Sequence, residues 1–311
     1  MGTPAEALSI LRLLSVPGVG PAKVRKVLSL AETQRRPLAD LSRDRAAVST
    51  VLSPPQAEAL EAAGPEIEAL ARRLEGIGAR LLSFADAAYP QQLRARLGDK
   101  APPLLSVLGN PDLLEGGGVG FCGSREASEK GLATARDCAE QLARAGVGVV
   151  SGYAHGVDVA AHTAALRAGG ATIMVLAEGI LGFRVRREMK DVWDPSRVVV
   201  LSEFLPGLPW SVHSAMQRNH TICGLSCAMV LIEARERGGS FQAGRASLEI
   251  GVPLFAAVYE GMPESSQGNQ LLLREGARQL LKSRQSGRAN VAPILDVVGG
   301  RPAGERHSAR A

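Results

Sequence analysis

Val119-Gly120-Phe121-Cys122-Gly123-Ser124-Arg125 and, thirty residues on, Val149-Val150-Ser151-Gly152-Tyr153-Ala154-His155-Gly156-Val157-Asp158 decide the fold. Each is a short apolar run that ends in glycine, a small hydroxyl and one basic side chain before a helical pattern begins. A strand that turns into a helix through glycine exposes backbone N–H groups at the positive end of a helix dipole, which suits a phosphate. Taken singly, each segment is weak evidence. Gly-Ser-Arg arises by chance, and Ser151 to Asp158 reads equally well as a tight turn in which Asp158 bonds backbone. The phosphate itself is left open between a nucleotide, a dinucleotide and a nucleic-acid backbone.

Working outward, apolar β-branched runs recur at 119–122, 147–150, 172–177, 198–202, 228–232 and 254–258. Helical patterns at 128–145, 157–168, 212–224 and 241–250 separate most of them. Continuous apolar strands joined by helices predict a mainly parallel sheet covered on both faces. The expected class is therefore α/β, with a Rossmann-like doubly wound domain over 117–282 that takes ligands at the carboxyl ends of its strands. Residues 1–75 read as a small all-helical domain of helix-hairpin-helix or SAM-like type, with Pro21 at a first helical position. Residues 76–116 read as a connector with short extended pieces at 79–84 and 104–108, punctuated by Tyr89-Pro90, Pro102-Pro103 and Asn110-Pro111. Residues 283–311 read as a basic, disordered tail in which only 291–298 offers apolar surface to bury.

Composition is that of an ordinary globular protein, 45% hydrophobic and 22% charged over 311 residues. No apolar run is long enough for a membrane span, and the N-terminus lacks the pattern of a signal peptide, so no membrane association and a cytoplasmic location are expected. Cys122, Cys138, Cys223 and Cys227 form neither CxxC pairs nor a disulfide spacing. Buried thiols are the better reading, with no metal and no cofactor expected. Residues 282–311 carry six Lys/Arg against two acids, four of the five net positive charges, so overall basicity says little about the body of the chain.

Further candidate strand-end loops follow the first two: Ser202-Glu203, Gln217-Arg218-Asn219-His220, Glu233 with Gly238-Gly239-Ser240, and Ser265-Ser266-Gln267-Gly268-Asn269. A parallel sheet gathers them along one edge, into a shallow pocket with Arg125, His155 and Arg218. Such a pocket favours polyanions and holds no evident nucleophile–base pair, so a binding protein is expected rather than an enzyme. As an ordered set these motifs resemble the DprA/Smf family of DNA-processing proteins. The resemblance covers roughly residues 10–280, through Gly-Ser-Arg, the segment from Ser151 to His162, Gly169-Gly170, Ser202-Glu203, Arg218-Asn219, Glu233-Ala234, Gly239-Ser240, Gly268-Asn269 and Gly276-Ala277.

The resemblance implies a homodimer that binds single-stranded DNA and hands it to a RecA-type recombinase, as in the uptake of transforming DNA. The implied DNA-phosphate residues are Gly123, Ser124, Arg125, Ser151, Gly152, His155, Asp158, Arg218, Asn219, Gly239, Ser240, Gly268 and Asn269. The chain departs from the family at His155, where arginine is common, at Ala171, where lysine often stands, and at His220, usually arginine. Arg184, Arg186, Arg187 and Lys190 either restore the lost basic surface or form a solvated helix face. The C-terminal segment is too short and too polar for the winged-helix domain that many members carry.

Val16-Pro17-Gly18-Val19-Gly20 reads as a helix-hairpin-helix turn, with Lys23, Arg25 and Lys26 placed for sequence-independent backbone contact, or else as a degenerate module used for packing. Phe183, Trp193, Trp210 and Phe241 are candidates for base stacking, each with the alternative of a core role. A second functional class stays open: a sensor of a nucleotide or nucleotide-derived signal, whose smaller anion would suit a less basic pocket. An enzyme cleaving nucleoside monophosphates is disfavoured, since Gly238-Gly239-Ser240 is not the Pro-Gly-Gly-x-Gly-Thr loop of that class.

Overall fold

A computed structural model describes residues 5–283 and 285–300. Within them a single nine-stranded sheet runs through the molecule. Its strands are β1 (Arg80–Ser83), β2 (Leu104–Gly109), β3 (Gly118–Cys122), β4 (Gly148–Ser151), β5 (Thr172–Val175), β6 (Val198–Ser202), β7 (Ser226–Leu231), β8 (Leu254–Ala257) and β9 (Arg278–Leu280). The order is β1-β2-β6-β5-β4-β3-β7-β8-β9. From β6 to β9 all neighbours are parallel, while β2 pairs antiparallel with both β1 and β6. The chain builds outward from β3 through β4, β5 and β6, then returns to β3's other side with β7. That reversal opens a crevice at the carboxyl ends of β3 and β7, where open α/β sheets bind their ligands.

Sequence periodicity explains the layers. In β6 the odd and even positions part company: Val198 and Val200 face one apolar cluster, Val199 and Leu201 another. Helix Glu129–Arg144 starts at Ser128, whose Oγ accepts from Gly131 N at 3.0 Å. It buries Ala135, Cys138, Ala139 and Leu142 at helical spacing against Val119, Phe121 and Val149 of the sheet. Helices Val212–Leu225 and Gly239–Glu249 cover the opposite face through Ile222, Cys223, Ala243 and Ala246. All four cysteines are buried and unbridged. Among the described residues no helix is long and apolar enough to cross a membrane.

Two sequence expectations are corrected. Residues 76–116 are not a connector, because β1 and β2 extend the sheet beyond β6 and fill its face with Leu82, Leu105 and Val107. The extended pieces expected at 79–84 and 104–108 are these two strands; Tyr89, almost wholly buried, donates from its hydroxyl to Pro102 O at 2.8 Å and ties down the segment between them. The tail is not disordered from residue 283. Ala289, Val291 and Ile294 insert into the cluster beneath β3 and β7, and helix Ala292–Gly299 follows. Asp137 anchors the approach, accepting from Ala289 N at 2.7 Å and Arg288 Nε at 2.5 Å. Residues 301–311 of the expected tail lie outside the described residues.

Six helices between Ala5 and Gly76 form the N-terminal part, beginning with Ala5–Ser15 and Pro21–Thr33. Their core is shared with the sheet: Ile10, Leu11 and Leu13 pack in one cluster with Leu81, Leu104, Val198 and Val200. Arg25 reinforces this junction, its guanidinium 4.5 Å from the Phe84 ring and hydrogen-bonded to Ala101 O. Ile294, fully buried, tests the docking of the C-terminal segment. Ile294→Ala is expected to destabilise the protein by about 2–5 kcal/mol in urea unfolding, whereas an undocked segment would leave the midpoint unmoved.

Candidate functional site

Two adjoining clefts, of about 450 and 390 Å³, cross the carboxyl ends of the parallel strands. The first lies at the reversal between β3 and β7 and is walled by Gly123-Ser124-Arg125 and by the loop from Arg235 to Ser240. The second lies over β4 and β5, walled by Gly152 to His155, Glu178, Arg184 and Arg186. Arg125, Ala154, Trp210 and Arg218 line both, so the two are lobes of one groove.

Arg218 stands at the join. It projects from the middle of helix Val212–Leu225, is only 6% exposed, and its Nε has no hydrogen-bond partner among the described residues. Its guanidinium lies against Gly152, where any Cβ would overlap it. Beneath the loop, Asp158 accepts from Gly152 N at 3.2 Å and Ala154 N at 3.1 Å. Burial pushes the Asp158 carboxyl up, and the Arg218 charge and these N–H donors oppose that rise. Asp158 therefore shapes the second loop and counterbalances Arg218.

The loops are stitched to one another. Gly156 adopts φ +80° and passes so close to Ser124 O that a Cβ would collide with it. Ser240 Oγ donates to Gly123 O at 2.7 Å, and Asn219 Nδ2 donates to Gly239 O at 3.1 Å. Tyr153 holds a positive φ of 63°, a strained value for a bulky residue. Its ring packs on Phe183 with centroids 5.4 Å apart, and its hydroxyl accepts from Arg186 N at 2.7 Å.

Most of the expected phosphate residues meet at the groove: Gly123, Ser124, Arg125, Gly152, His155, Asp158, Arg218, Asn219, Gly239 and Ser240 all line it. Three do not. Ser151 is fully buried and donates to Phe121 O at 2.7 Å. Asn269 accepts from Ala234 N at 2.9 Å and donates to Ile232 O and Ala257 O, bracing the end of β7 from below. Gly268 packs under the same turn, with no room for a Cβ beside Ala234 O and Arg235 O. These residues hold the loops in place instead of facing the groove.

The basic segment after β5 divides. Residues 182–190 run from the end of one 3-10 turn, Ile180–Gly182, to a second at Arg187–Met189, so they are not an α-helix face. Arg186 enters the groove: it lies over the Tyr153 ring at 4.9 Å, with Nη1 2.7 Å from His155 Nε2 and Nη2 donating to Tyr153 O at 3.0 Å. Arg184 lines the same lobe but donates to Leu181 O and Phe183 O. Arg187 and Lys190 line neither lobe, nor do Lys23, Arg25 and Lys26. Lys23 Nζ instead donates to Gln56 Oε1 at 2.8 Å, and Gln56 Nε2 fills the hairpin turn by donating to Pro17 O.

Of the departures from the family pattern, only His155 touches the groove, and Arg186 stands beside it. Ala171 precedes β5 at the opposite edge of the sheet, and His220 turns its ring toward Gln217 O on the outer side of its helix. Sequence reading missed Arg235 and Arg237, which line the first lobe, Arg235 paired with Glu126 at 2.9 Å. Their signal was two arginines at a strand end, directly before Gly238-Gly239. Glu233 also lines that lobe but is occupied, accepting from Ser128 N at 2.9 Å, Ser128 Oγ at 2.6 Å and the Tyr259 hydroxyl.

A doubly wound sheet carrying an arginine-rich groove at its reversal point defines a Rossmann-like protein. Residues 80–288 match the family model described as DNA recombination-mediator protein A, starting at the first residue of β1. The chain belongs to that family, the DprA/Smf proteins. It is 36% identical over 199 residues to the DNA processing protein DprA of Streptococcus pneumoniae, covering 63% of this chain and 69% of that one. It is 34% identical over 192 residues to protein Smf of Escherichia coli, covering 61% and 50%. The chain thus spans between half and about two thirds of these curated relatives. The X-ray structure of the pneumococcal protein superposes with a TM-score of 0.73 at 29% identity, over 90% of this chain and 95% of that one. The Helicobacter pylori DNA processing protein A, solved to examine its single-stranded DNA binding mode, shares the fold with a TM-score of 0.56 at 23% identity, over 72% and 95%.

His162 lies beneath the second loop, fully buried, with Nδ1 2.5 Å from Thr172 Oγ1. Burial, aided by the Arg218 charge, lowers its pKa from 6.5 to about 3. The unfolded chain therefore takes up this proton first, and stability is full above pH 6.5 and lost as pH falls toward 3. His162→Gln is expected to flatten that loss by up to about 1.4 kcal/mol per pH unit, read from urea midpoints between those limits.

Proposed function

We propose that this protein binds single-stranded DNA along the groove, with backbone phosphates running past Arg125 and Arg218. The observation that carries the reading is the buried Arg218 with its unpartnered Nε, placed where both lobes meet. A guanidinium withdrawn from water is held there at a cost that an anionic ligand offsets through charge-assisted hydrogen bonds. Two lobes side by side suit a chain of phosphates better than one compact anion. Membership of a recombination-mediator family supports the same reading, as does the single-strand binding mode attributed to the Helicobacter pylori protein. On this reading the chain works as a homodimer and presents its bound strand to a RecA-type recombinase, during DNA uptake or repair.

Arg125 is exposed, so its removal tests the groove without disturbing the core. Arg125→Ala is expected to weaken binding of an oligo-dT by roughly 10- to 100-fold. It is also expected to reduce the slope of log affinity against log salt by about 0.7. Titrations with duplex DNA and a free nucleoside triphosphate complete the test. Unchanged oligonucleotide binding in Arg125→Ala overturns the groove assignment, and a free nucleotide that binds more tightly than the oligonucleotide overturns the single-strand reading in favour of a nucleotide sensor.

A further inference from the structure

Among the described residues five large apolar side chains are markedly exposed, and three of them, Leu208, Trp210 and Val212, fall within one short stretch, of which Trp210 and Val212 line the groove. Trp210 is 45% exposed and lines both lobes. The stretch is held in place: Leu208 N donates to Leu205 O and Gly179 N donates to Leu208 O, each at 2.8 Å. On its other side Ser211 Oγ caps helix Val212–Leu225 by accepting from Ser214 N at 3.0 Å. The indole is therefore presented to solvent by a braced turn. The other aromatic side chains suggested as stacking partners are placed differently: Phe183 and Phe241 are buried, and Trp193 packs on Phe183 with centroids 5.7 Å apart.

Arg125 lies over the Trp210 ring, its guanidinium carbon 5.2 Å from the centroid. A guanidinium donates in its own plane, so stacking on an indole leaves its N–H groups free for a phosphate. One residue pair thus presents a phosphate donor and an aromatic surface side by side, the two features that successive nucleotides of a single strand require.

We propose that Trp210 is a stacking platform for a nucleobase, beside Val212, with Arg125 taking the adjoining phosphate. This deepens the single-strand reading and rests on it. Every base has a π-face, so the platform discriminates the presence of a base rather than its identity.

Trp193→Phe leaves Trp210 as the single indole of the chain's two tryptophans. In that background, oligo-dT is expected to quench the fluorescence in step with binding, and an abasic chain of equal length to leave it unchanged. Trp210→Ala is expected to weaken oligo-dT binding by roughly 5- to 150-fold, to bind oligo-dT no better than the abasic chain, and to keep the salt slope. Trp210→Phe is expected to retain most of the affinity. If Trp210→Ala binds oligo-dT as the wild type does, or the wild type binds both chains equally, while Arg125→Ala is still weakened, the platform is overturned and the phosphate groove stands. If the wild type binds no oligonucleotide, the single-strand reading falls and the platform with it.

Discussion

A guanidinium buried at the carboxyl edge of a parallel sheet is the constraint around which this protein is organised. Arg218 lies in a place where an uncompensated charge would cost several kcal/mol. Asp158 supplies the balancing charge, and its own burial is offset by the N–H groups of Gly152 and Ala154. Room for the guanidinium exists because residue 152 has no side chain. The second loop is thus shaped by one ion, and the loop's neighbours follow: Gly156 must pass close to Ser124 O, and Tyr153 must accept a positive φ. Part of the arginine's hydrogen-bonding capacity, its buried Nε, stays unused among the described residues.

Around that ion the fold acts as a frame. β3 and β7 diverge in connection, so their loops leave a gap that no side chain fills. Asn269 and Glu233 lie under and beside the gap, tying strand ends and helix starts together through hydrogen bonds rather than through contact with a ligand. The N-terminal helices join the same frame: their apolar residues form one cluster with β1, β2, β5 and β6. Arg25, read as a candidate for DNA, serves the junction by lying on Phe84. Its positive charge is no guide to its role, because its planar face and its Nη2 are already engaged within the chain.

Charge reaches the second loop from a neighbouring strand end. Where the sequence resemblance implies arginine, His155 stands with Arg186 against it, brought there by the segment after β5. A cation can reach the same point in space from a different strand end, since all these loops converge on one edge. Alignment of single positions hides such an exchange.

Strand and helix order was legible in the sequence, because β-branched runs alternating with 3.6-residue patterns carry their own periodicity, and the strand-end glycines and hydroxyls marked where the loops would gather. Short strands β1 and β2 were legible as extended pieces, but their place in the sheet was not, nor was the docking of Val291 and Ile294, since these depend on the sheet and core they join and not on local pattern. Nor could the sequence separate residues that face the groove from those that brace it: Ser124 and Ser151 look alike as strand-end serines, yet one lines the first lobe and the other is sealed against Phe121 O. The sequence by itself determined the doubly wound topology and the family. Only the tertiary structure decided which cations share the groove, that Arg218 is buried while Trp210 is exposed, and that Arg186 stands in beside His155, because burial and charge proximity depend on packing between elements distant in the chain.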